Sequence, residues 1–235
     1  LNPISIKMLA IITYWSLALL TMLQMPEITT VPLIPKSQPQ SSQAFTNLAY
    51  SKVSGEELLL DLYVPEGMES PPLVVWIHGG AWRGGKKDNP EHALQLIKHG
   101  YAVASINYRL SQQAIFPAQI IDCKAAIRWL RAHQDQYKID ASRIGVWGSS
   151  AGGHLVALLG TSNGHSEWDQ GGHLDQSSSV QAVCDWYGPT DFLRMDDVPG
   201  SMVHLSADSP ESLLIGGDIR DLPEKTQLAN PISYL

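Results

Sequence analysis

The stretch at residues 145–154, GVWGSSAGGH, leaves few choices of fold. An apolar segment ending at Trp147 runs through Gly148-Ser149-Ser150-Ala151-Gly152 into the helix-like SAGGHLVALLG. A strand that turns into a helix within so few residues must bend sharply. Small residues on either side let the bend close against its neighbours. The residue at the apex, Ser150, then carries its hydroxyl clear of the backbone. The helix that follows aims its N-terminal N–H groups at the same point, where they stabilise negative charge. G-x-S-x-G alone is a weak signal. Its strand–turn–helix setting makes Ser150 a candidate nucleophile rather than part of a plain turn.

The rest of the chain repeats this alternation. Residues 58–65 read as a strand, and 71–80 hold a continuous apolar run from Leu73 to Ile77, entered by prolines and left by glycines. Such a run fits a strand buried on both faces. Residues 90–100 open with proline and close with glycine, a helix pattern, and 101–108 form the next strand. Residues 117–137 predict a helix with Ile121, Ala125, Trp129 and Ala132 on one face. A strand at 180–188 and a short helix at 209–217 follow. Strands and helices joined by short connections predict an α/β chain, a mainly parallel sheet with helices on both faces. In such sheets sites form at the carboxyl ends of strands, and both glycine stretches, after Ile77 and after Trp147, fall there.

Charge and cysteines narrow the function. The 16 basic against 23 acidic residues give −7, and no Lys/Arg cluster marks a nucleic-acid partner. Lys86-Lys87 is read as solvated loop. Cys123 and Cys184 have no metal-ligand spacing and are read as small buried hydrophobes. Residues 8–25 carry no charge and follow Lys7, as a secretory signal or a membrane anchor would. The protein is therefore expected to be exported (secreted or periplasmic) or membrane-anchored. The chain opens at Leu1 rather than Met, which makes Met8 a candidate start. Residues 1–25 are thus assigned to a signal or anchor, 26–45 to a Pro/Ser/Gln-rich linker, and 46–235 to the folded domain.

A second motif complements the first. Acyl transfer needs donors aimed at the oxyanion that forms on the attacked carbonyl. In His78-Gly79-Gly80-Ala81-Trp82 the glycines would let backbone N–H groups approach a substrate. The N–H groups of Gly80 and Ala81, with that of Ala151 after the nucleophile, are the expected oxyanion hole. His78 and Gly79 are expected to support the loop. A serine also needs a base, commonly a His held by Asp or Glu. His165, His173 and His204 lie in irregular polar stretches, and His154 sits one helical turn beyond Ser150, where packing is its expected role. Asp191 reads as a turn cap. His165, Asp169 and His173 are spaced at i, i+4 and i+8, but Gly164, Gly171 and Gly172 argue against the helix that would align them on a metal.

WIHGGAW, INYRLS, FPAQIIDCKAAIRWLRAH, IGVWGSSAGGHLVALLG and WYGPTDF together resemble the α/β-hydrolase esterase/lipase family. They are most similar to its hormone-sensitive-lipase-like and bacterial feruloyl- or acetyl-esterase-like branch. The likeness covers roughly residues 55–217, with HGGA standing where many lipases have HGGG. It implies a serine hydrolase that forms an acyl-enzyme on Ser150, acting on a small-molecule or polysaccharide-linked ester without a cofactor. It also implies that the catalytic acid and His come from loops after two further strands. The expectation is therefore a domain incomplete at its C-terminus, with both residues beyond Leu235. A peptidase or amidase would use the same machinery, and a hydrolase fold kept for binding alone is the alternative from another class.

Overall fold

The computed structural model describes residues 41–88, 90–197, 200 and 202–235. The 8–25 segment and residues 26–40 of the expected linker lie outside these residues. Among the described residues, no helix is long and apolar enough to cross a membrane.

Six strands form one sheet: β1 (Ser42–Val53), β2 (Glu56–Pro65), β3 (Pro72–Ile77), β4 (Ala102–Ile106), β5 (Asp140–Ser149) and β6 (Ala182–Trp186). Their order is β1-β2-β4-β3-β5-β6. β1 pairs antiparallel with β2, and β2 with β4. β3 pairs parallel with both β4 and β5, and β5 with β6. Ser54 and Gly55, both at positive φ, turn β1 into β2, as a tight hairpin requires. β1 starts at Ser42, ahead of the boundary expected at Thr46. Most of its side chains are exposed or half-buried, so backbone pairing rather than an apolar pattern holds it, and composition alone reads its first residues as linker.

The apolar run of β3 is divided between two cores. Leu73, Val75 and Ile77 enter the main core, while Trp76 packs with Val103 and Ala93 on the other face. That second face is covered by α1 (Glu91–Leu94) and a 3-10 turn at Ile97–His99. The single helix expected over 90–100 is thus broken in two, with Gly100 in the left-handed region at its end. The main face carries α2 (Ala118–Ala132), continued by α3 (Gln134–Tyr137), and α4 (Ala151–Thr161). Two short helices, α5 (Pro210–Ile215) and α6 (Pro223–Ala229), follow β6.

α2 differs from its expected stripe. Ile120, Cys123, Ile127 and Leu130 are fully buried, whereas Ala132 is exposed. Polar residues on the same helix are buried too, because the loop at 162–179 folds over them. Arg128 Nη1 lies 2.7 Å from Asp169 Oδ1, and its other nitrogens donate to the carbonyls of Gly172 and Gln170. Lys124 Nζ donates to the His165 carbonyl at 2.9 Å and to Ser178 Oγ at 3.0 Å. Asp169 is therefore the loop's anchor to α2, and the i, i+4, i+8 spacing has no helix beneath it. Arg128→Met should leave two carbonyls without their partner and the half-buried Asp169 carboxylate with Lys124 alone, 3.5 Å away. Its expected cost is about 2–4 kcal/mol, measurable by urea unfolding. Cys123 is buried and Cys184 exposed, and both are free thiols. Cys184 departs from the expected burial because β6 is an outer strand with mostly exposed side chains.

Candidate active site

β3 and β5 are parallel neighbours, and Ile77 pairs with Gly148. Their carboxyl ends therefore lie side by side, and the two glycine motifs leave the sheet together. Ser150 sits at φ 54°, ψ −121° immediately before α4, an unfavourable conformation for a residue with a side chain. Its N–H donates to the Trp186 carbonyl at 2.9 Å, which helps hold the bend, and its side chain is exposed. The surrounding glycines are required by contact. A Cβ at Gly152 would stand 2.7 Å from the His78 carbonyl oxygen, and closer still to that of Ile77. A Cβ at Gly79 would stand 2.8 Å from the Ser149 carbonyl oxygen. The first turn of α4 is thus pressed onto the end of β3, which brings the loop after β3 to Ser150.

That loop is strongly bent. Gly80 has φ 113°, and its carbonyl accepts from the N–H groups of Arg83 and Gly84, both at 3.0 Å. Ala81 and Trp82 follow at φ 54° each. His78 is buried and stacks on Tyr108 with ring centroids 4.3 Å apart, while its Nδ1 lies 2.8 Å from the Gly79 carbonyl. Burial holds the His78 pKa below its ordinary value. The far end of the loop is pinned by Lys87, whose Nζ lies 2.9 Å from Asp61 on β2. Lys87 is only 5% exposed, so the Lys86-Lys87 pair is not simply solvated loop: Lys86 faces water and Lys87 is an anchor. Sequence reasoning missed this because the partner carboxylate lies on a different strand.

A cavity of about 380 Å³ opens at Ser150, with Ala81, Trp82 and Ala151 in its wall. Gly80 lies instead in a separate surface depression with His78 and Gly79. Among the described residues, the N–H groups of Gly80, Ala81 and Ala151 have no protein acceptor. His204 and Glu211 share the Ser150 cavity. The other histidines lie elsewhere. His165 is near Glu167, and His173 meets His133 edge-on. Asp191 Oδ1 accepts from Asn230 Nδ2 at 3.1 Å, which ties its loop to the end of α6. Among the described residues, no histidine side chain hydrogen-bonds to the Ser150 hydroxyl; His154 meets Ser150 only through its backbone N–H, which donates to the Ser150 carbonyl at 2.9 Å.

His154, fully buried on α4, stacks edge-on to Trp82 at 5.1 Å, and its Nε2 lies 2.7 Å from the Ala229 carbonyl. Burial pushes its pKa down from 6.5 to about 4. Between these values the unfolded chain takes up a proton that the folded chain refuses. Stability should therefore be full above about pH 6.5 and fall toward pH 4, by about 3 kcal/mol in all. Urea midpoints across that range should show a slope from this residue, reduced in His154→Gln.

Residues 60–235 match the BD-FAE family. The chain belongs to that family. Two curated relatives from Mycobacterium tuberculosis are similar to this BD-FAE chain. A probable carboxylic ester hydrolase, LipM, is 37% identical over 56% of the chain and 31% of its own length. The esterase LipQ is 28% identical over 88% of the chain and 49% of its own length. The chain thus spans 31% to 49% of the length of these relatives. Among solved structures, a truncated carbohydrate esterase from gut microbiota is 36% identical with a TM-score of 0.74, covering 85% of this chain and 74% of that one. A bifunctional GH43-CE protein of Bacteroides eggerthii is 39% identical with a TM-score of 0.72, covering 82% of this chain and 29% of that one. The BD-FAE chain has the α/β-hydrolase fold, as the sequence motifs imply.

Proposed function

We propose that the full-length protein is a serine carboxylic-ester hydrolase that works through an acyl-enzyme on Ser150. The observation that carries this reading is Ser150 itself: exposed, at φ 54°, between β5 and the first turn of α4, and on the wall of a cavity. The serine hydroxyl attacks the ester carbonyl while a general base takes its proton, and the base hands that proton to the departing alcohol. The developing oxyanion is met by the Ala151 N–H at the helix start, and by N–H groups of the loop after β3, those of Ala81 and Gly80. His78 and Gly79 keep that loop in shape. Collapse of the tetrahedral species expels the alcohol, and water then releases the acid. The esterase and carbohydrate-esterase names of its relatives support an ester substrate, on a small molecule or on a polysaccharide. Export or membrane anchoring through residues 8–25 is part of the same proposal and rests on their uncharged apolar sequence.

A fluorophosphonate probe tests the nucleophile directly. It should label the full-length protein, and peptide mapping should place the adduct on Ser150. Labelling of another residue, or none in a protein that hydrolyses esters, would sink the assignment.

A further inference from the structure

Three aromatic rings from distant parts of the chain meet beside the Ser150 cavity. Trp82 comes from the loop after β3, His154 from α4, and Phe192 from the 3-10 turn at Phe192–Asp197 that follows β6. The ring centroids lie 5.1 Å apart for Trp82 and His154, 5.4 Å for Trp82 and Phe192, and 5.0 Å for His154 and Phe192. All three side chains are buried. Each residue is also held from outside the trio. The Trp82 carbonyl accepts from the Ser111 N–H at 2.7 Å. The Phe192 N–H donates to Asn230 Oδ1 at 3.1 Å. A carbonyl only accepts, so His154 Nε2 is the donor in its 2.7 Å contact with Ala229.

This junction joins the two sources of oxyanion donors. Trp82 directly follows Ala81, and His154 lies one helical turn beyond Ser150, just after Ala151. Gly80, Ala81 and Trp82 have φ 113°, 54° and 54°, so two residues with side chains occupy the left-handed region. For a side chain as bulky as tryptophan that conformation is strained, and it persists only where the surroundings hold it. Left free, the loop would relax toward negative φ and re-aim the Ala81 N–H. The edge-on contact of Trp82 with His154 is directional, because the electron-poor edge of one ring meets the face of the other. It therefore fixes the spacing of loop and helix more narrowly than aliphatic packing would. Neither His154 nor Phe192 lines the cavity, which separates their role from contact with a substrate there.

We propose that Trp82 and His154, with Phe192 packed against both, are positioning residues that hold the Ala81 N–H in register with the Ala151 N–H, so that both donors meet one oxyanion. This rests on Ser150 being the esterase nucleophile. The oxyanion exists only after attack, so losing the alignment lowers kcat and leaves KM nearly unchanged.

The test is a double-mutant cycle on the full-length protein with 4-nitrophenyl acetate. Trp82→Leu and His154→Gln should each lower kcat about tenfold or more, with KM within about twofold of wild type. Glutamine keeps a donor for the Ala229 carbonyl and loses the ring. Trp82→Phe, which keeps a ring, should recover most of the rate. Both residues act through one contact, so the double variant should fall no more than about threefold below the slower single, whereas independent effects would multiply to about a hundredfold. Phe192→Leu should lower kcat in the same sense. Fluorophosphonate labelling of Ser150 should slow in step with kcat in every variant. Thermal melting checks folding, and if Trp82→Leu does not fold, the cycle is run with Phe192→Leu and His154→Gln. An unchanged kcat, single effects that multiply, or a loss confined to KM overturns the proposal. A wild type that neither labels nor hydrolyses esters overturns the esterase reading itself, and this assignment with it.

Discussion

Ser150→Ala should reduce ester hydrolysis by the full-length protein by at least about 10⁴-fold while leaving its melting temperature within a few degrees of wild type. The two halves of this result have separate causes. The hydroxyl is the only group lost, and without it no acyl-enzyme forms. The oxyanion donors and the binding cavity remain, so a small residual rate over water is expected. The fold is spared because the Ser150 side chain is exposed and makes no hydrogen bond among the described residues, while its backbone bond to Trp186 is kept. Alanine tolerates φ 54° no better than serine does, so the strain is unchanged. Steady-state hydrolysis of 4-nitrophenyl acetate together with a thermal melt decides it. Activity within a few-fold of wild type would remove Ser150 from the mechanism.

Gly152→Ala is expected to be nearly as damaging, through geometry rather than chemistry. The added methyl would stand 2.7 Å from the His78 carbonyl oxygen and nearer to that of Ile77. Both are backbone atoms at the end of a central strand and cannot turn aside as a side chain would. Either α4 lifts off β3 or the strand end shifts. Overpacking of this kind costs about 1–3 kcal/mol, which lowers the melting temperature of a chain this size by roughly 3–10 °C. The larger effect falls on the site, since α4 carries the Ala151 N–H and the loop after β3 carries Ala81. Misaiming one such donor typically costs about 10²–10³ in kcat. Fluorophosphonate labelling of Ser150 should slow in parallel. Wild-type stability and labelling in Gly152→Ala would show that α4 does not rest on β3 as described.

Much of the site was legible because it is local. The bend at Ser150 is written in consecutive residues, where Gly148 and Gly152 admit close backbone approach and an apolar strand and helix lie on either side. The loop after β3 was legible for the same reason. β1 was not, because its pairing partners lie in β2 and its exposed side chains show no buried pattern. The buried faces of α2 were misjudged because a polar loop, rather than solvent, covers part of the helix.

The sequence by itself determined the order of the strands from β2 to β6 and of the helices between them, the turn that exposes Ser150, and the glycine loop placed to meet it. These follow from periodicity and from the conformations that short runs of glycine and small residues allow. Only the tertiary structure decided that Lys87 is an anchor and not a solvated charge, that Asp169 holds a loop to α2, and that His204 and Glu211 reach the cavity of Ser150. Each of these is a pairing of charged or polar groups from elements distant in sequence. A side chain's local neighbours do not record such a partner, because burial and hydrogen bonding are set by how the layers stack.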